Sequence, residues 1–243
     1  MLSEEDIKRA AIKFVKKREN FKKIVQEFAD PEKIFPDTTP VSVFMAGSPG
    51  AGKTEFSKGL LKNLWDDNKS HVARIDADEI RNKLPGYTGG NAYLFQGAVS
   101  IAVEKIHDSV LTNEQNFILD GTLSNLEKAK DNIQRSLDKN RTIFIFYIYQ
   151  DPVIAWEFTI RREEKDGRRI LKETFIEQFI AARDVVNKLK EHFGKNITIY
   201  LVEKDFKHQT IQFKANINKI DNCIKFKYTK NQLEELLKSH ETI

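Results

Sequence analysis

Apolar residues recur at helical spacing near the start of the chain, at Ile7, Ala11, Phe14, Phe21, Ile24, Val25 and Phe28, and predict one helix over residues 4–29. Ser3, with Asp6 three residues on, suits a capping box at its beginning. Pro31, Pro36 and Pro40 then break the pattern into an irregular link. From residue 41 short β-favouring runs alternate with longer amphipathic stretches, the signature of an α/β domain with a parallel sheet. Strands are predicted at 41–46, 71–75, 116–119, 142–149 and 197–202. The run 142–149 is apolar almost throughout, as a central strand covered on both faces should be. Helices are predicted at 55–65, with Phe56, Leu60, Leu64 and Trp65 on one face, and at about 125–139, 153–164 and 173–193. Another follows the loop 85–90 and turns Leu94, Ala98, Ile101, Ala102, Ile106 and Val110 inward. In the tail, 210–217 and 223–228 alternate apolar with polar positions, with 219–222 suited to a turn between them and 232–240 to a last helix. That pattern predicts a β-hairpin followed by a helix.

Composition narrows the class. The 243 residues are 40% apolar and 31% charged, enough for one large core with appendages. No apolar run approaches a membrane span, and the acidic residues 1–6 lack the apolar core of a signal peptide. The single cysteine, Cys223, excludes an intramolecular disulfide and reads as a small buried apolar residue. These features predict a cytoplasmic protein with no membrane partner. The net charge of +4 is mild, with lysines interleaved among acids, so no nucleic-acid partner is expected.

The chemistry centres on Gly47-Ser48-Pro49-Gly50-Ala51-Gly52-Lys53-Thr54, which reads G-x-x-x-x-G-K-[ST] between a predicted strand and a predicted helix. Its glycines allow a tight turn whose amides, together with that of Glu55, face an anion at the positive end of a helix dipole. Lys53 is expected to reach the β- and γ-phosphates of ATP, and the Thr54 hydroxyl to ligate Mg²⁺. The fold predicted is therefore a P-loop NTPase/kinase α/β fold. It comprises a mainly parallel five-stranded sheet with helices on both faces (41–204), a helical N-terminal extension (1–40) and a hairpin-and-helix extension (205–243).

Ligands of open α/β sheets bind at the carboxyl ends of the strands, and two further predicted strands end in carboxylates. Asp78, in Asp76-Ala77-Asp78, is the candidate general base, able to take a hydroxyl proton during attack on the γ-phosphorus; capping the helix that follows is its structural alternative. Asp76 either supplements the metal site or orients Asp78. Asp120, ending 117–120, resembles a Walker B carboxylate, with a role toward Mg²⁺ or substrate. Arg161, Arg162, Arg168 and Arg169 flank Lys165-Asp166-Gly167, a connection suited to a mobile lid whose guanidinium groups stabilise transferring phosphate; a solvated charge run is the alternative.

Residues 41–204 resemble the zeta toxin family, P-loop kinases of bacterial toxin–antitoxin systems. The resemblance is carried by Gly50-Ala51-Gly52-Lys53-Thr54, Ile75-Asp76-Ala77-Asp78, Glu104, Asp120-Gly121-Thr122 and the arginine-bearing segment. It implies phosphorylation of the 3′-hydroxyl of the sugar in UDP-N-acetylglucosamine, which interferes with cell-wall precursor synthesis. It also implies that Asp78 is the base and that Glu104 and Thr122 contact the sugar nucleotide. The family often has Glu where Asp120 stands. Arg162 matches its first lid arginine, and either Arg168 or Arg169 the second. A protein antitoxin is the implied partner, with inhibition by residues 4–29 of the same chain as an intramolecular variant and simple packing of that helix as the alternative. A kinase for another hydroxyl acceptor, such as a different nucleotide sugar or a drug, and a nucleotide-dependent switch are the competing functions. A switch has no acceptor to deprotonate, and the guanine-type pattern Asn218-Lys219-Ile220-Asp221 falls in the tail rather than at a core strand end.

Overall fold

The computed structural model describes residues 3–64, 72–205 and 210–238. His71, Trp65 and His240 of the predicted elements lie outside the described residues, as does the side chain of Leu64. The N-terminal segment forms two helices, α1 (Glu4–Lys16) and α2 (Arg18–Ala29), where one was expected. Ser3 and Asp6 make the predicted capping box at the start of α1. At Lys17 the backbone turns extended (φ −69°, ψ 123°) while its N–H still reaches the carbonyls of Lys13 and Phe14, so the chain changes direction without an orphaned donor. The bend lets Ala11 and Val15 of α1 and Ile24, Phe28 and Ala29 of α2 all bury in one core.

The remaining elements follow the predicted alternation: β1 (Val41–Ala46), α3 (Lys53–Leu64), β2 (Val72–Asp76), the short α4 (Ala77–Arg81), and a 3₁₀ turn (Ala92–Phe95) leading into α5 (Gln96–Thr112). Next come β3 (Asn116–Asp120), α6 (Leu126–Leu137), β4 (Thr142–Gln150), α7 (Pro152–Asp166), α8 (Lys172–Phe193), β5 (Thr198–Asp205), β6 (Thr210–Lys214) and α9 (Lys230–Lys238). The sheet order is β2-β3-β1-β4-β5-β6, with β1 to β5 parallel and β6 antiparallel on β5. Among the described residues it thus has six strands, one more than predicted, because the first tail strand joins it.

The second tail strand and the hairpin do not form. Residues 220–222 make a 3₁₀ turn, and the chain from Ile224 to Thr229 runs without regular structure. Arg183 of α8 explains this: its guanidinium donates to Asp221 Oδ1 (2.7 Å) and to the carbonyls of Ile224 (2.7 Å) and Phe226 (2.5 Å). A side chain thereby satisfies carbonyls that a strand ladder would have used. Cys223 is half-buried and in a turn rather than a strand.

Alternation along β1 sends Phe44 and Ala46 to one core, with Ile75, Phe95, Ile106 and Phe117, and sends Val43 and Met45 to the other, with Ile118, Phe146 and Phe56 of α3. The strands are apolar on both faces because both are covered. Register matters most for function: Asp76 pairs opposite Asp120, so β2 and β3 end level and set two carboxylates side by side. Among the described residues no helix is long and apolar enough to cross a membrane.

Candidate active site

Between β1 and α3 the loop turns through left-handed backbone at Gly50 (φ 71°) and Gly52 (φ 81°). A Cβ on Gly47 would collide with the backbone of Ile148, and one on Gly50 with the backbone of Ala155, so glycine is required sterically at both. The Gly47 amide donates to the carbonyl of Thr122 (3.2 Å), tying this loop to the end of β3. Lys53 Nζ donates to the carbonyls of Gly47 (3.1 Å) and Ser48 (2.6 Å). Burial lowers its pKa to about 8, against the opposing pull of Asp120 and with help from Arg162. Lys204, from the end of β5, donates to the Gly52 carbonyl (2.9 Å) and packs where a Gly52 Cβ would stand.

The loop opens onto a cavity of about 1180 Å³. Pro49 to Glu55 line one side, and Asp76, Asp78, Asp120 and Thr122 line the strand ends. Arg161 and Arg162 line it from the last turns of α7, and Arg168 and Arg169 from the connection between α7 and α8. Gln96, Val99, Ser100 and Val103 of α5 and Lys128 and Asn132 of α6 form the far wall. The topology therefore brings the phosphate loop, three strand-end carboxylates and four arginines to one space.

Asp76 and Asp78 divide their work. Asp76 is the cap of α4, its Oδ1 accepting the Asp78 N–H at 2.8 Å. The Asp78 carboxylate is thereby spared from capping and is 37% exposed to the cavity. Burial pushes the Asp78 pKa up, but Arg168, Arg81 and Arg162 outweigh it and hold the carboxyl below its ordinary range. For Asp76 burial wins over Arg74, and its pKa is raised.

Arg74 is the main residue that pattern reading passed over. Its guanidinium pairs with Asp76, with Asp120 Oδ2 (2.5 Å) and with Glu79 (2.6 Å), and its Nε donates to Ser57 Oγ (3.0 Å). Ser57 Oγ also donates to Asp120 Oδ2 (2.8 Å). Asp120 is thus fixed by two donors before any ligand arrives. A signal was available: Arg74 interrupts the apolar run of β2 and lies two positions before Asp76, hence on the same face. Arg81, three residues after Asp78 on α4, carried a similar cue.

The arginines separate by geometry. Arg168 pairs with Asp78. Arg169 is 66% exposed and approaches Glu163 (3.7 Å). Arg161 approaches Glu157 (3.8 Å), and Arg162 is half-buried in the cavity wall. Gly167, left-handed at φ 68°, ends α7 immediately before Arg168, and a Cβ on Gly89 would touch the backbone of Asp166 and Gly167. The glycine-rich loop therefore packs against the turn between α7 and α8.

Thr122 keeps its hydroxyl within 2.9 Å of Ser124 Oγ. Glu104, by contrast, is not among the cavity-lining residues, because its carboxylate pairs with Arg135 of α6 (2.5 Å); Ser100 and Val103 take the inward positions of that helix. Nor does any residue of 4–29 line the cavity.

The residues fit a nucleotide triphosphate with magnesium. The glycine turn, with no room for Cβ atoms at Gly47 and Gly50, and a buried lysine whose charge burial disfavours suit an anion. Among the described residues no group of three or more His, Cys, Asp and Glu could hold a metal. One hydroxyl and one carboxylate, Thr54 and Asp120, match a magnesium ion held chiefly by phosphates and water.

A family model described as Zeta toxin matches residues 25–223, wider at both ends than the segment recognised from motifs. The fold resembles a structure from the PezAT toxin–antitoxin system of Streptococcus pneumoniae, with TM-score 0.67 and 16% identity over 99% of this chain and 97% of that one. It also resembles a chain of the AvrRxo1-ORF1:-ORF2 complex solved with ATP, with TM-score 0.60 and 12% identity over 96% and 70%. At such identities the likeness is one of fold. ClpB chaperones are the curated relatives matched, including that of Clostridium tetani, 27% identical over 201 residues and 70% of this chain. The chain spans only 21% to 29% of the length of these relatives. With its P-loop kinase-type fold and a family model matched over most of its length, the chain belongs to the zeta toxin family.

Proposed function

We propose that the protein is an ATP-dependent kinase that phosphorylates a sugar hydroxyl, the 3′-OH, of UDP-N-acetylglucosamine or a related UDP-sugar, and so interferes with cell-wall precursor synthesis. The observation that carries this reading is Asp78: an ionised carboxylate, relieved of capping by Asp76, in one cavity with the phosphate loop and the lid arginines. A nucleotide switch needs no such group. The cavity, at about 1180 Å³, exceeds the ~300–1,000 Å³ typical of single-ligand pockets, which supports two substrates side by side. The neighbour solved with ATP supports ATP as donor.

In this reading the loop amides and Lys53 would hold the β- and γ-phosphates, and Thr54 and Asp120 would hold Mg²⁺. Bound Mg²⁺–ATP supplies a transferable phosphoryl group and a cation that offsets its charge. Asp78 accepts the proton of the acceptor hydroxyl as that oxygen attacks phosphorus. Arg162 and Arg168 offset charge on the phosphoryl oxygens. The site of action would be the cytoplasm, where UDP-sugars are made. The toxin–antitoxin neighbour supports a protein antitoxin as partner.

Commitment of Glu104 to Arg135 favours a second reading, the same kinase chemistry on another hydroxyl acceptor. Mass analysis of UDP-N-acetylglucosamine, UDP-glucose and UDP incubated with enzyme and Mg²⁺–ATP decides between them. One added phosphate on the amino sugar supports the first reading; phosphate on none of the three moves the acceptor elsewhere.

A further inference from the structure

Asp78 is held by two guanidinium groups of different character. Arg81 Nη1 donates to Oδ1 at 2.5 Å, from the same short helix. The Arg81 side chain is 8% exposed, and its Nη2 is tethered at 3.2 Å to Gln96 Oε1 at the start of α5. Arg168 occupies the other oxygen, Oδ2, from the turn that follows left-handed Gly167, and is more exposed at 18%. With the Asp78 amide bonded to Asp76, the aspartate is fixed from its backbone to one carboxylate oxygen. Only Oδ2 has a partner on a hinge-like connection.

A carboxylate can take a hydroxyl proton only through an oxygen that the hydroxyl can reach, and both oxygens of Asp78 are occupied by cations. One pair must open. We infer that Arg81 is the permanent positioning residue for the base, and that Arg168 is a removable plug on Oδ2 which the acceptor hydroxyl displaces. Opening the Arg168 pair costs one ion pair, partly solvated on the Arg168 side. Opening the Arg81 pair would strand a buried guanidinium whose Nε already lacks a partner. Displacement also frees Arg168 to face the transferring phosphate, so acceptor binding would recruit the lid arginine to the reaction. The step balances: the hydroxyl oxygen forms a bond to the γ-phosphorus, the γ-phosphorus bond to the bridging oxygen breaks with its electron pair leaving on ADP, and the hydroxyl proton moves to Oδ2 of Asp78. This inference rests on the kinase reading for its chemistry, but the pairing itself can be tested without an acceptor.

The first arm is hydrogen exchange on the ligand-free chain over residues 165–171. Asp78→Asn should speed exchange there severalfold, while Glu163→Gln, which removes the contact to Arg169 in the same turn, should not. Unchanged exchange in Asp78→Asn overturns the plug. The second arm is steady-state kinetics with UDP-N-acetylglucosamine. Arg81→Gln should lower kcat about 10- to 100-fold with the KM for ATP kept, as expected of a group that orients a reacting one. Arg81→Lys should recover part of that loss. Gln96→Leu, a milder change, should lower kcat in wild type and have little further effect in Arg81→Gln, because the two act as one tether. Additive losses, or a rise in ATP KM with kcat kept, would overturn the positioning role. Arg168→Gln should tighten acceptor binding measured by calorimetry without ATP, since nothing then competes for Oδ2; weaker binding would contradict displacement. If wild-type enzyme does not turn over this acceptor at all, the substrate reading falls, and the exchange arm alone judges the plug.

Discussion

At the residue scale, Lys53 stands out because burial leaves its ammonium under-stabilised, with a pKa of about 8 against an ordinary 10.5. A phosphate arriving beside it restores the charged form, so binding above pH 8 requires proton uptake. Nucleotide affinity should therefore fall as pH rises through about 8, by up to about tenfold per unit. Calorimetry of ADP binding between pH 7 and 9.5 measures this, and Lys53→Met should abolish the slope. The same shift has an opposite effect on the empty fold. Between pH 8 and 10.5 the unfolded chain binds the extra proton, so this group adds stability as pH rises across that window. The motif residues Gly47 to Thr54, Asp78 and Asp120 were legible from the sequence because each sits at a place the fold class makes special. Arg74 and Arg81 were legible only in part: spacing sets them beside Asp76 and Asp78, but the cross-strand pairing of Arg74 with Asp120 appears only once β2 and β3 are in register. The choice between Arg168 and Arg169 was likewise undecided by spacing, and geometry sets only Arg168 against Asp78.

At the element scale, the alternation of apolar and polar positions led to every parallel strand but misread the tail. Residues 223–228 carry a strand-like pattern, yet a strand needs an edge to pair with, and Arg183 captures the carbonyls of Ile224 and Phe226 first. Burial accounts for part of the apolar pattern instead, with Ile220 and Ile224 joining the main core. Arg183 therefore anchors the tail. Arg183→Ala should cost about 3 kcal/mol, the order expected when a buried charge pair is broken, and should make the segment after Lys219 the first site of limited proteolysis. Cleavage elsewhere with unchanged stability would count against this anchoring. The N-terminal region shows the converse error: its helical periodicity was sound, but periodicity does not register a single extended residue at Lys17.

At the scale of the whole molecule, α1 and α2 belong to the main core. Ala11, Val15, Ile24, Phe28 and Ile34 are buried in it, and Gln115 binds the carbonyls of Ala29 (3.2 Å) and Ile34 (2.6 Å). Deleting residues 1–36 should thus lower thermal stability and yield of soluble protein without raising activity. A folded truncation more active than the full chain would instead support inhibition by this segment. The sheet, meanwhile, delivers the phosphate loop, Asp78 and Asp120 to the carboxyl ends of its strands, and α7 and the turn after it carry the arginines to the same cavity. The central claim is that this convergence serves transfer to a hydroxyl activated by Asp78. Its most direct test is ATP consumption by purified protein with and without UDP-N-acetylglucosamine, comparing wild type, Asp78→Asn and Lys53→Met. The account predicts turnover that depends on the sugar nucleotide and is lost in both variants. Turnover that ignores the sugar nucleotide and survives Asp78→Asn while still requiring Lys53 would contradict it, leaving a phosphate-loop nucleotidase in place of a kinase.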